Sequence, residues 1–268
     1  MIKKQLSPLH GKYLKKVRLN KLLVFLGQVI FVVAAFLLWE IFAKTGVIDS
    51  FITSSPSKIA AELARLTKSG EIFKHLWISA KETVIGFAIG TGLGTAVAVL
   101  LWWSPFLYKV FEPYLVVLNS LPKVALGPII IIWAGTGQAA IVTMAVLISV
   151  VITTINMTNG FNSTDENKLL LLKTMRATKL QVFCKLVFPS NIPALLATLK
   201  INVGMAWIGT IMGEYLTSKA GLGYLILYGG QVFKLDLVMT CILVLCVVAA
   251  VMYLLVAMLE KALVRWNR

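Results

Sequence analysis

Charged residues are scarce in this chain of 268 residues. They make up 14 % of it, and the acidic ones are the rarest, with 11 Asp and Glu against 26 Lys and Arg. Hydrophobic residues supply 59 %, whereas an ordinary soluble domain has about 45–50 % apolar and about 25 % charged residues. The composition therefore excludes a soluble globular domain and predicts an integral membrane protein.

Side chains that commonly carry chemistry are few as well. The cysteines and histidines are Cys184, Cys241, Cys246, His10 and His75. The sequence contains no C-x-x-C pair, no Gly-rich phosphate loop and no G-x-S-x-G turn. These absences predict a protein without a disulfide framework, a metal site or a catalytic residue of its own. Any nucleotide chemistry that drives it must then belong to a partner.

Long apolar runs, by contrast, are abundant. A helix that crosses the roughly 30 Å core of a bilayer needs about 20 apolar residues. The runs of that length are Leu22–Ala43, Leu76–Trp103, Pro113–Ala134, Gln138–Gly160, Asn191–Tyr215 and Leu237–Val264. They predict an all-α membrane protein with about six transmembrane helices. Pro122 and Pro128 make the third span the least regular, because each removes a backbone donor.

The placement of Lys and Arg predicts the orientation. Most of them fall in the connections on the same side of the membrane as the N-terminus, and cytoplasmic loops carry such an excess. Both termini are therefore predicted to lie in the cytoplasm. Residues 1–21 are predicted to form a basic cytoplasmic arm that meets anionic lipid rather than nucleic acid. Residues 22–268 are predicted to form the transmembrane domain.

Two features accompany the first spans. The segment SSPSKIAAELARL predicts an amphipathic helix at the outer surface, with Ser55 as its cap and Pro56 at its first position. This helix either seals the top of the bundle or contacts a partner. In the second span Gly86, Gly90 and Gly94 recur at every fourth position, which allows helix backbones to approach closely. Packing within the subunit is favoured here over a dimer contact.

The connection between the fourth and fifth spans, residues 162–189, predicts two short helices. Each is expected to begin at a capping box, Ser163 with Glu166 and Thr178 with Gln181. In the second helix Leu180, Phe183 and Val187 share one face, and Pro189 is expected to end it. Two hypotheses follow: a pair of interfacial helices on the inner leaflet, or a rigid element that a cytoplasmic protein grips.

Polar residues inside the membrane are costly and normally face a cavity or the protein interior. The candidates for a translocation path are Asn119, Ser120 and Lys123 on the third span and Asn202, Met205, Gly209 and Met212 on the fifth. Hydrogen bonds between helices are the alternative explanation for these polar positions. Glu214 lies near the outer end of the fifth span, where it is expected to cap or pair with a neighbour.

Four segments resemble a known family. One is KTMRATKLQVFCKLVFPSNIPALLATLKINVGMAW, which is similar to the EAA loop and following helix of permease subunits of binding-protein-dependent ABC importers. The others are HLWISAKETVIGF, NSLPKVALGPIIIIWAGTG and MGEYLTSKAGLGYLI. Together they most resemble the nitrate, sulfonate and taurine branch, which includes pyrimidine-precursor and riboflavin importers. Two departures occur: Leu170-Leu171-Leu172 replaces the usual Glu-Ala-Ala, and Arg176 replaces a Gly that tolerates positive φ.

The resemblance implies a MetI-like fold and a function. The chain would be the permease subunit of an ATP-driven importer, forming half of the pathway for a small, polar or anionic solute such as a sulfonate, taurine, nitrate or a vitamin precursor. Its partners would be a second copy, two cytoplasmic ATPase subunits that bind ATP and Mg²⁺, an external solute-binding protein and membrane lipid. Coupling would run through residues 169–187, in particular through Leu170, Lys173, Thr174, Met175, Arg176, Ala177, Thr178 and Lys179.

Two other classes of function are weighed against this one. An ion-coupled secondary transporter would place ionisable groups near the middle of the membrane, and the sequence predicts no buried acidic residue of that kind. A membrane enzyme would need a constellation of acid, base or nucleophile, and none is visible. The importer hypothesis accounts for the loop, the six spans and the missing nucleotide site together.

Overall fold

The computed structural model describes the backbone of residues 8–264 and, from residue 16 onward and at Tyr13, the side chains. The described residues form helices and connections, without a strand. By their internal contacts they divide into two compact units, one ending at Glu62 and the other beginning at Leu63. Residues 1–7 of the predicted basic arm lie outside the described range, and residues 8–21 belong to the first helix.

The first unit contains α1 (Pro8–Lys44), α2 (Ser50–Thr53) and the start of α3 (Pro56–Ser69). Glu40 near the end of α1 pairs with Lys44 at 3.0 Å and accepts a hydrogen bond from the Ser57 backbone N–H. Helix α3 begins as predicted: Pro56 is its first residue, and the Ser55 hydroxyl accepts from the backbone N–H of Lys58. The predicted start of this helix is therefore confirmed.

Three long helices form the centre of the second unit: α4 (Glu71–Trp103), α7 (Gln138–Asn162) and α11 (Ile192–Thr217). A methyl group added at Gly86, Gly90 or Gly94 of α4 would lie 2.4, 2.7 or 2.5 Å from a side chain of α7. The glycines are needed because the two backbones approach so closely. The predicted packing of this glycine face within the subunit is confirmed.

The third span is broken, as its prolines predict. Helix α5 (Pro105–Ser120) is followed by a 3₁₀ turn (Lys123–Leu126) and by α6 (Gly127–Ala134), and the two halves meet at 89°. The break falls at Leu121, which is extended because a following proline disfavours helical geometry. The span begins at Pro105 rather than at Pro113, which lies inside α5.

The chain continues from α7 through four short elements to α11. These are α8 (Glu166–Thr174), α9 (Lys179–Val182), a π-helical turn (Phe183–Val187) and α10 (Phe188–Ser190). After α11 come α12 (Leu222–Gln231), which the apolar runs do not predict, and α13 (Leu235–Leu263). Among the described residues, five unbroken helices are long and apolar enough to cross a bilayer, and there are six spans if the bent pair is counted as one.

Candidate functional site

The two ends of the α4–α7–α11 bundle carry the candidate sites, and each is named here after a residue. The Phe183 end comprises the last turns of α4 and α7 and the connection between α7 and α11. The Gly221 end comprises the first turns of α4, the last turn of α11 and the start of α12. The sequence predicts most features of the Phe183 end. Most features of the Gly221 end, by contrast, are seen only in the structure.

At the Phe183 end, helix α8 starts differently from the prediction. The Asp165 carboxylate accepts from the backbone N–H of Asn167 at 2.9 Å, while the Ser163 hydroxyl donates to the Gly160 carbonyl at 2.8 Å. The predicted capping box of Ser163 with Glu166 is wrong. Helix α8 begins two residues later than that box requires, so Asp165 occupies the capping position, where a carboxylate is among the preferred acceptors.

Helix α8 ends in a left-handed turn at Arg176, whose φ is +57°. Its backbone N–H donates to the Lys173 carbonyl at 2.9 Å, and that of Ala177 donates to the Leu172 carbonyl at 3.0 Å. This is a Schellman motif, which normally uses Gly at the left-handed position. The turn expected of the family is therefore present although Arg stands in place of Gly.

Helix α9 begins at the predicted capping box. The backbone N–H of Thr178 donates to the Gln181 side chain at 2.8 Å, and that of Gln181 donates to the Thr178 hydroxyl at 3.3 Å. These two backbone N–H groups, which have no partner within the helix backbone, are thus satisfied by nearby side chains. This part of the sequence prediction is confirmed.

The chain after α9 does not stop before Pro189 as predicted. A π-helical turn carries it through α10 to Ser190, and Pro189 sits in the first turn of α10, where a missing N–H is tolerated. Val187 is fully buried and Phe183 is half-buried, whereas 59 % of Leu180 is exposed. Leu180 therefore does not share their buried face, whereas its neighbour Val182 is buried.

Phe183 is the centre of an aromatic cluster that fastens this connection to the bundle. Its ring centroid lies 5.1 Å from that of Trp102, 6.3 Å from Trp103, 5.5 Å from Phe161 and 5.9 Å from Phe188. Such tilted and edge-on pairs stabilise beyond the area they bury. The rings join the connection to the last turns of α4 and α7.

The predicted coupling residues lie on the outside of this connection. Leu170, Lys173, Thr174, Met175, Arg176, Thr178 and Lys179 are exposed, and Ala177 is half-buried. Large apolar side chains are among the most exposed, with Leu170 at 61 % and Met175 at 71 %. A groove of about 640 Å³ runs between Lys173, Ala177 and Lys179 on one side and Trp102 and Tyr108 on the other. The connection thus has a packed base and an exposed, partly apolar outer surface.

At the Gly221 end, Glu214 is fully buried near the end of α11. Its carboxylate accepts hydrogen bonds from the Ser79 hydroxyl and from the backbone N–H of Gly223. The Ser79 hydroxyl in turn accepts from the backbone N–H of Leu222 at 2.7 Å. Together these side chains satisfy the first donors of α12, so Glu214 caps a helix other than its own.

Two further groups lie at this end. The backbone N–H of Gly221 donates to Nδ1 of His75 at 2.9 Å. The Glu82 side chain of α4 is buried as well. The sequence predicted no buried acidic residue in a span, and Glu82 and Glu214 correct that expectation. The sequence signal for Glu214 is the acid followed by closely spaced glycines in GEYLTSKAGLG.

The structure places the candidate path residues of α11 in two environments. Asn202 is fully buried, and its amide donates to the hydroxyls of Thr91 at 3.0 Å and Thr153 at 2.6 Å. A methyl group at Gly209 would lie 2.5 Å from the backbone of Ala145. Asn202 and Gly209 therefore hold α4, α7 and α11 together. Met205 and Met212 are only half-buried.

The candidate path residues on the third span lie beside its break. The Lys123 ammonium donates to the Asn119 carbonyl at 3.1 Å, and the Ser120 hydroxyl donates to the Val116 carbonyl at 3.0 Å. Lys123 thus satisfies a terminal carbonyl of α5 from across the break. Asn119 and Ser120 are exposed.

A small cavity between α5 and α7 was not anticipated from the sequence. It has a volume of about 170 Å³ and is lined in part by Tyr108, Glu112, Thr158 and Asn159. The Tyr108 hydroxyl donates to the Glu112 carboxylate at 2.9 Å. The Thr158 hydroxyl is buried and has no hydrogen-bond partner among the described residues. These side chains are far apart in sequence, so only the fold brings them together.

Long apolar helices, a broken span and a rigid helical connection define a polytopic membrane protein of the permease class. Residues 88–266 match the family of binding-protein-dependent transport system inner membrane components, and the chain belongs to that family. It is a multi-pass membrane protein.

Several characterised or named relatives are similar over most of the chain. The putative aliphatic sulfonates transport permease protein of Bacillus subtilis is 27 % identical over 86 % of this chain and 83 % of its own length. The formylaminopyrimidine transport permease protein of Halalkalibacterium halodurans is 33 % identical over 74 % and 79 %. The riboflavin transport system permease protein of Chloroflexus aurantiacus is 24 % identical over 90 % of each. The relatives are transport components, as the resemblance implies.

Solved structures show the same fold. The MetNI methionine ABC transporter in an inward-facing conformation matches with a TM-score of 0.66 at 18 % identity. The match covers 74 % of this chain and 99 % of the other chain. A bacterial ABC transporter that imports alginate matches with a TM-score of 0.65 at 12 % identity, covering 95 % and 100 %. The predicted MetI-like permease fold is confirmed.

Proposed function

We propose that this chain is the permease subunit of an ATP-driven importer, and that two copies form the pathway above two cytoplasmic ATPase subunits. The ATPase subunits supply the bound ATP and Mg²⁺, and an external binding protein delivers the solute. Both termini then lie in the cytoplasm of a bacterial cell. Family membership supports this proposal, and the packed, doubly capped connection between α7 and α11 is the observation that carries it.

The connection is suited to transmit a displacement because it is stiff at its base. The Schellman turn at Arg176 and the capping box at Thr178 fix its two short helices, and the cluster around Phe183 fastens them to α4 and α7. A flexible loop would absorb a push from a partner, whereas packed helices pass it on. Exposed Leu170 and Met175 offer an apolar surface for a partner, and Arg176 adds a charge.

The coupling proposal is tested with two changes in the connection. Thr178→Pro removes a capping hydroxyl worth about 1 kcal/mol, and Arg176→Glu reverses a charge on the proposed docking surface, where like-charge contacts cost several kcal/mol. We expect each to release the ATPase subunits or to uncouple ATP hydrolysis from uptake, while the permease still inserts and dimerises. ATPase retention on the purified permease and ATP-driven uptake are measured together.

The matched control is Lys68→Glu, a charge reversal at an exposed position of α3 that the proposed topology places outside the cell. It is expected to behave as the parent. If both changes in the connection keep the ATPase subunits and transport at the parent rate, the connection is an interfacial structure and the coupling proposal fails.

We further propose that Asn119, Ser120, Lys123, Met205 and Met212 line the translocation path, because they lie on faces that the single chain leaves open. Met205→Trp is expected to reduce uptake at least about tenfold by adding volume to the path, without releasing the ATPase subunits. Trp at the exposed Ile201, one turn earlier on α11, is the control. Normal uptake by Met205→Trp would place that face against lipid or protein.

The relatives support the proposed solute class. They are named for the transport of aliphatic sulfonates, formylaminopyrimidine and riboflavin, and the proposed solute is a small sulfonate, taurine, nitrate or a vitamin precursor. Stimulation of ATP hydrolysis in the reconstituted complex by the binding protein, measured with each solute class in turn, identifies it. A complex that responds to none of these classes would remove the chain from this branch.

An ion-coupled secondary transporter is the second candidate, and the buried pair of Glu82 and Glu214 is the observation that favours it. Against it, the Glu214 carboxylate already accepts hydrogen bonds from Ser79 and from Gly223 at the start of α12. These bonds give it a structural role as a helix cap. Uptake into vesicles decides between the two: dependence on ATP supports the importer, and dependence on a proton or sodium gradient supports the alternative.

A further inference from the structure

The last turn of helix α4 contains no Lys, Arg or His side chain. This turn, residues 100–103, reads LLWW, and the chain turns at once into α5, whose first turn is capped by Ser104. The final carbonyls of an α-helix lack partners within the helix and form the negative end of its dipole. In a helix of 33 residues, this end needs donors from elsewhere in the fold.

Lys179 of α9 supplies such a donor from 76 residues along the chain. Its ammonium donates to the Trp103 carbonyl and lies 5.7 Å from the ring centroids of both Trp102 and Trp103. A cation near a helix C-terminus and a cation over an aromatic face are each favourable. Both contacts come from one side chain.

Lys179 acts together with Phe183, which lies one helical turn further along. Residues at positions i and i+4 share a face, and the Phe183 ring packs on the same two tryptophans that Lys179 contacts. The capping box at Thr178 fixes the residue directly before Lys179. The geometry thus joins α9 to the end of α4 by one charged and one aromatic contact.

We infer that Lys179 is a positioning residue that clamps the connection to the end of α4 and passes its displacement to that helix, rather than a contact of the ATPase subunits. The inference rests on the proposed function, in which the connection moves with those subunits. Lys179 thus has a different role from Lys173 and Arg176, whose exposed side chains remain on the proposed docking surface. Because the glycine face of α4 packs directly on α7, a displacement of α4 moves both helices.

The first test compares Lys179→Met, Lys179→Arg and Lys185→Met in the full complex with its ATPase subunits. Lys179→Met keeps the length of the side chain and removes its charge. We expect it to retain the ATPase subunits and their hydrolysis but to lower uptake per ATP hydrolysed by about tenfold. Lys179→Arg retains the cation and is expected to restore coupling. Lys185→Met removes a charge from an exposed position of the same connection and is expected to leave coupling unchanged.

The second test measures the clamp on the purified permease alone, independently of any ATPase. Hydrogen exchange of residues 179–188 is expected to rise in Lys179→Met and to stay at the parent level in Lys185→Met. Lys179→Met is expected to raise it less in a Trp102→Leu, Trp103→Leu background than in the parent, because there only the hydrogen bond to the Trp103 carbonyl remains to be lost.

The outcomes separate this inference from the proposed function. If Lys179→Met releases the ATPase subunits, or couples as well as the parent, or leaves the exchange of residues 179–188 unchanged, the clamp is refuted while the importer proposal stands. If the parent permease binds no ATPase subunit, the proposed function fails, and the inferred transmission fails with it even where the exchange measurement finds the contact.

Discussion

The two ends of the α4–α7–α11 bundle are held by opposite kinds of contact. At the Gly221 end, buried Glu214, Ser79 and half-buried His75 bind specific backbone donors of residues 221–223. At the Phe183 end, aromatic rings pack around one phenylalanine, and an exposed lysine lies over two of them. The Gly221 end depends on hydrogen bonds to backbone donors, and the Phe183 end mainly on aromatic packing together with the hydrogen bond of Lys179 to the Trp103 carbonyl.

This difference predicts which end moves. A buried polar group that loses its partner costs about 1–3 kcal/mol, so the Gly221 end has one favourable arrangement. Aromatic pairs remain favourable over ring separations of about 4.5–7 Å, so the Phe183 end can shift while keeping its contacts. We therefore expect the Gly221 end to be the fixed point of the bundle and the Phe183 end to be the one that the proposed partner displaces.

The largest effect is expected from Gly221→Ala at the fixed end. Gly221 has a φ of +117°, and an added methyl group would lie 2.3 Å from the Glu214 carboxylate. Backbone strain and overpacking together are expected to lower the free energy of unfolding by about 3 kcal/mol or more, measured as the thermal midpoint in detergent. Gly230→Ala in the same helix, where nothing lies within 4 Å, is the control and is expected to be neutral or slightly stabilising.

A smaller effect is expected from conservative changes at both ends. Glu214→Gln keeps the shape but places an NH₂ group against a donor, either the Ser79 hydroxyl or the Gly223 N–H, and is expected to cost about 2 kcal/mol. Phe183→Met keeps an apolar, adaptable side chain, and volume-conserving changes of this kind usually cost less than about 1.5 kcal/mol. Thermal midpoints of the two variants are compared. Equal losses, or a greater loss for Phe183→Met, would contradict the contrast between the ends.

The sequence predicted the parts of this structure that local chemistry determines. The spans follow from apolar runs, the break in the third from Pro122, and the start of α9 from residues three apart, Thr178 and Gln181. Each of these features is encoded within a few neighbouring residues. The left-handed turn at the end of α8 was not predicted, because Arg176 stands where the family has Gly, yet the turn forms with a φ of +57°.

What the sequence did not predict depends on contacts between distant segments. Ser79 and Glu214 are 135 residues apart, and His75 and Gly221 are 146 apart, so no local pattern joins them. Asn202 illustrates the same limit, because a polar residue in a span suits a path and an interhelical hydrogen bond equally well until its neighbours are known. Which faces of α11 are packed within the chain is determined by the fold as a whole.

The smallest effect is expected at Arg176, at the Phe183 end. Here the effect of the positive charge can be separated from the effect of the left-handed backbone conformation. A non-glycine residue in the left-handed region costs about 1–2 kcal/mol, and the greater freedom of an unfolded glycine offsets about 0.5–1 kcal/mol of that, so Arg176→Gly is expected to stabilise the turn by about 0.5–1 kcal/mol. Arg176→Ala removes the same charge and keeps the strained φ of +57°. We expect slower hydrogen exchange at residues 173–177 and a slightly higher thermal midpoint in Arg176→Gly than in Arg176→Ala, with equal retention of the ATPase subunits because both lack the guanidinium. Equal exchange in the two variants would mean that the turn carries no conformational cost, and weaker retention by Arg176→Gly alone would mean that the partner requires a residue larger than glycine there.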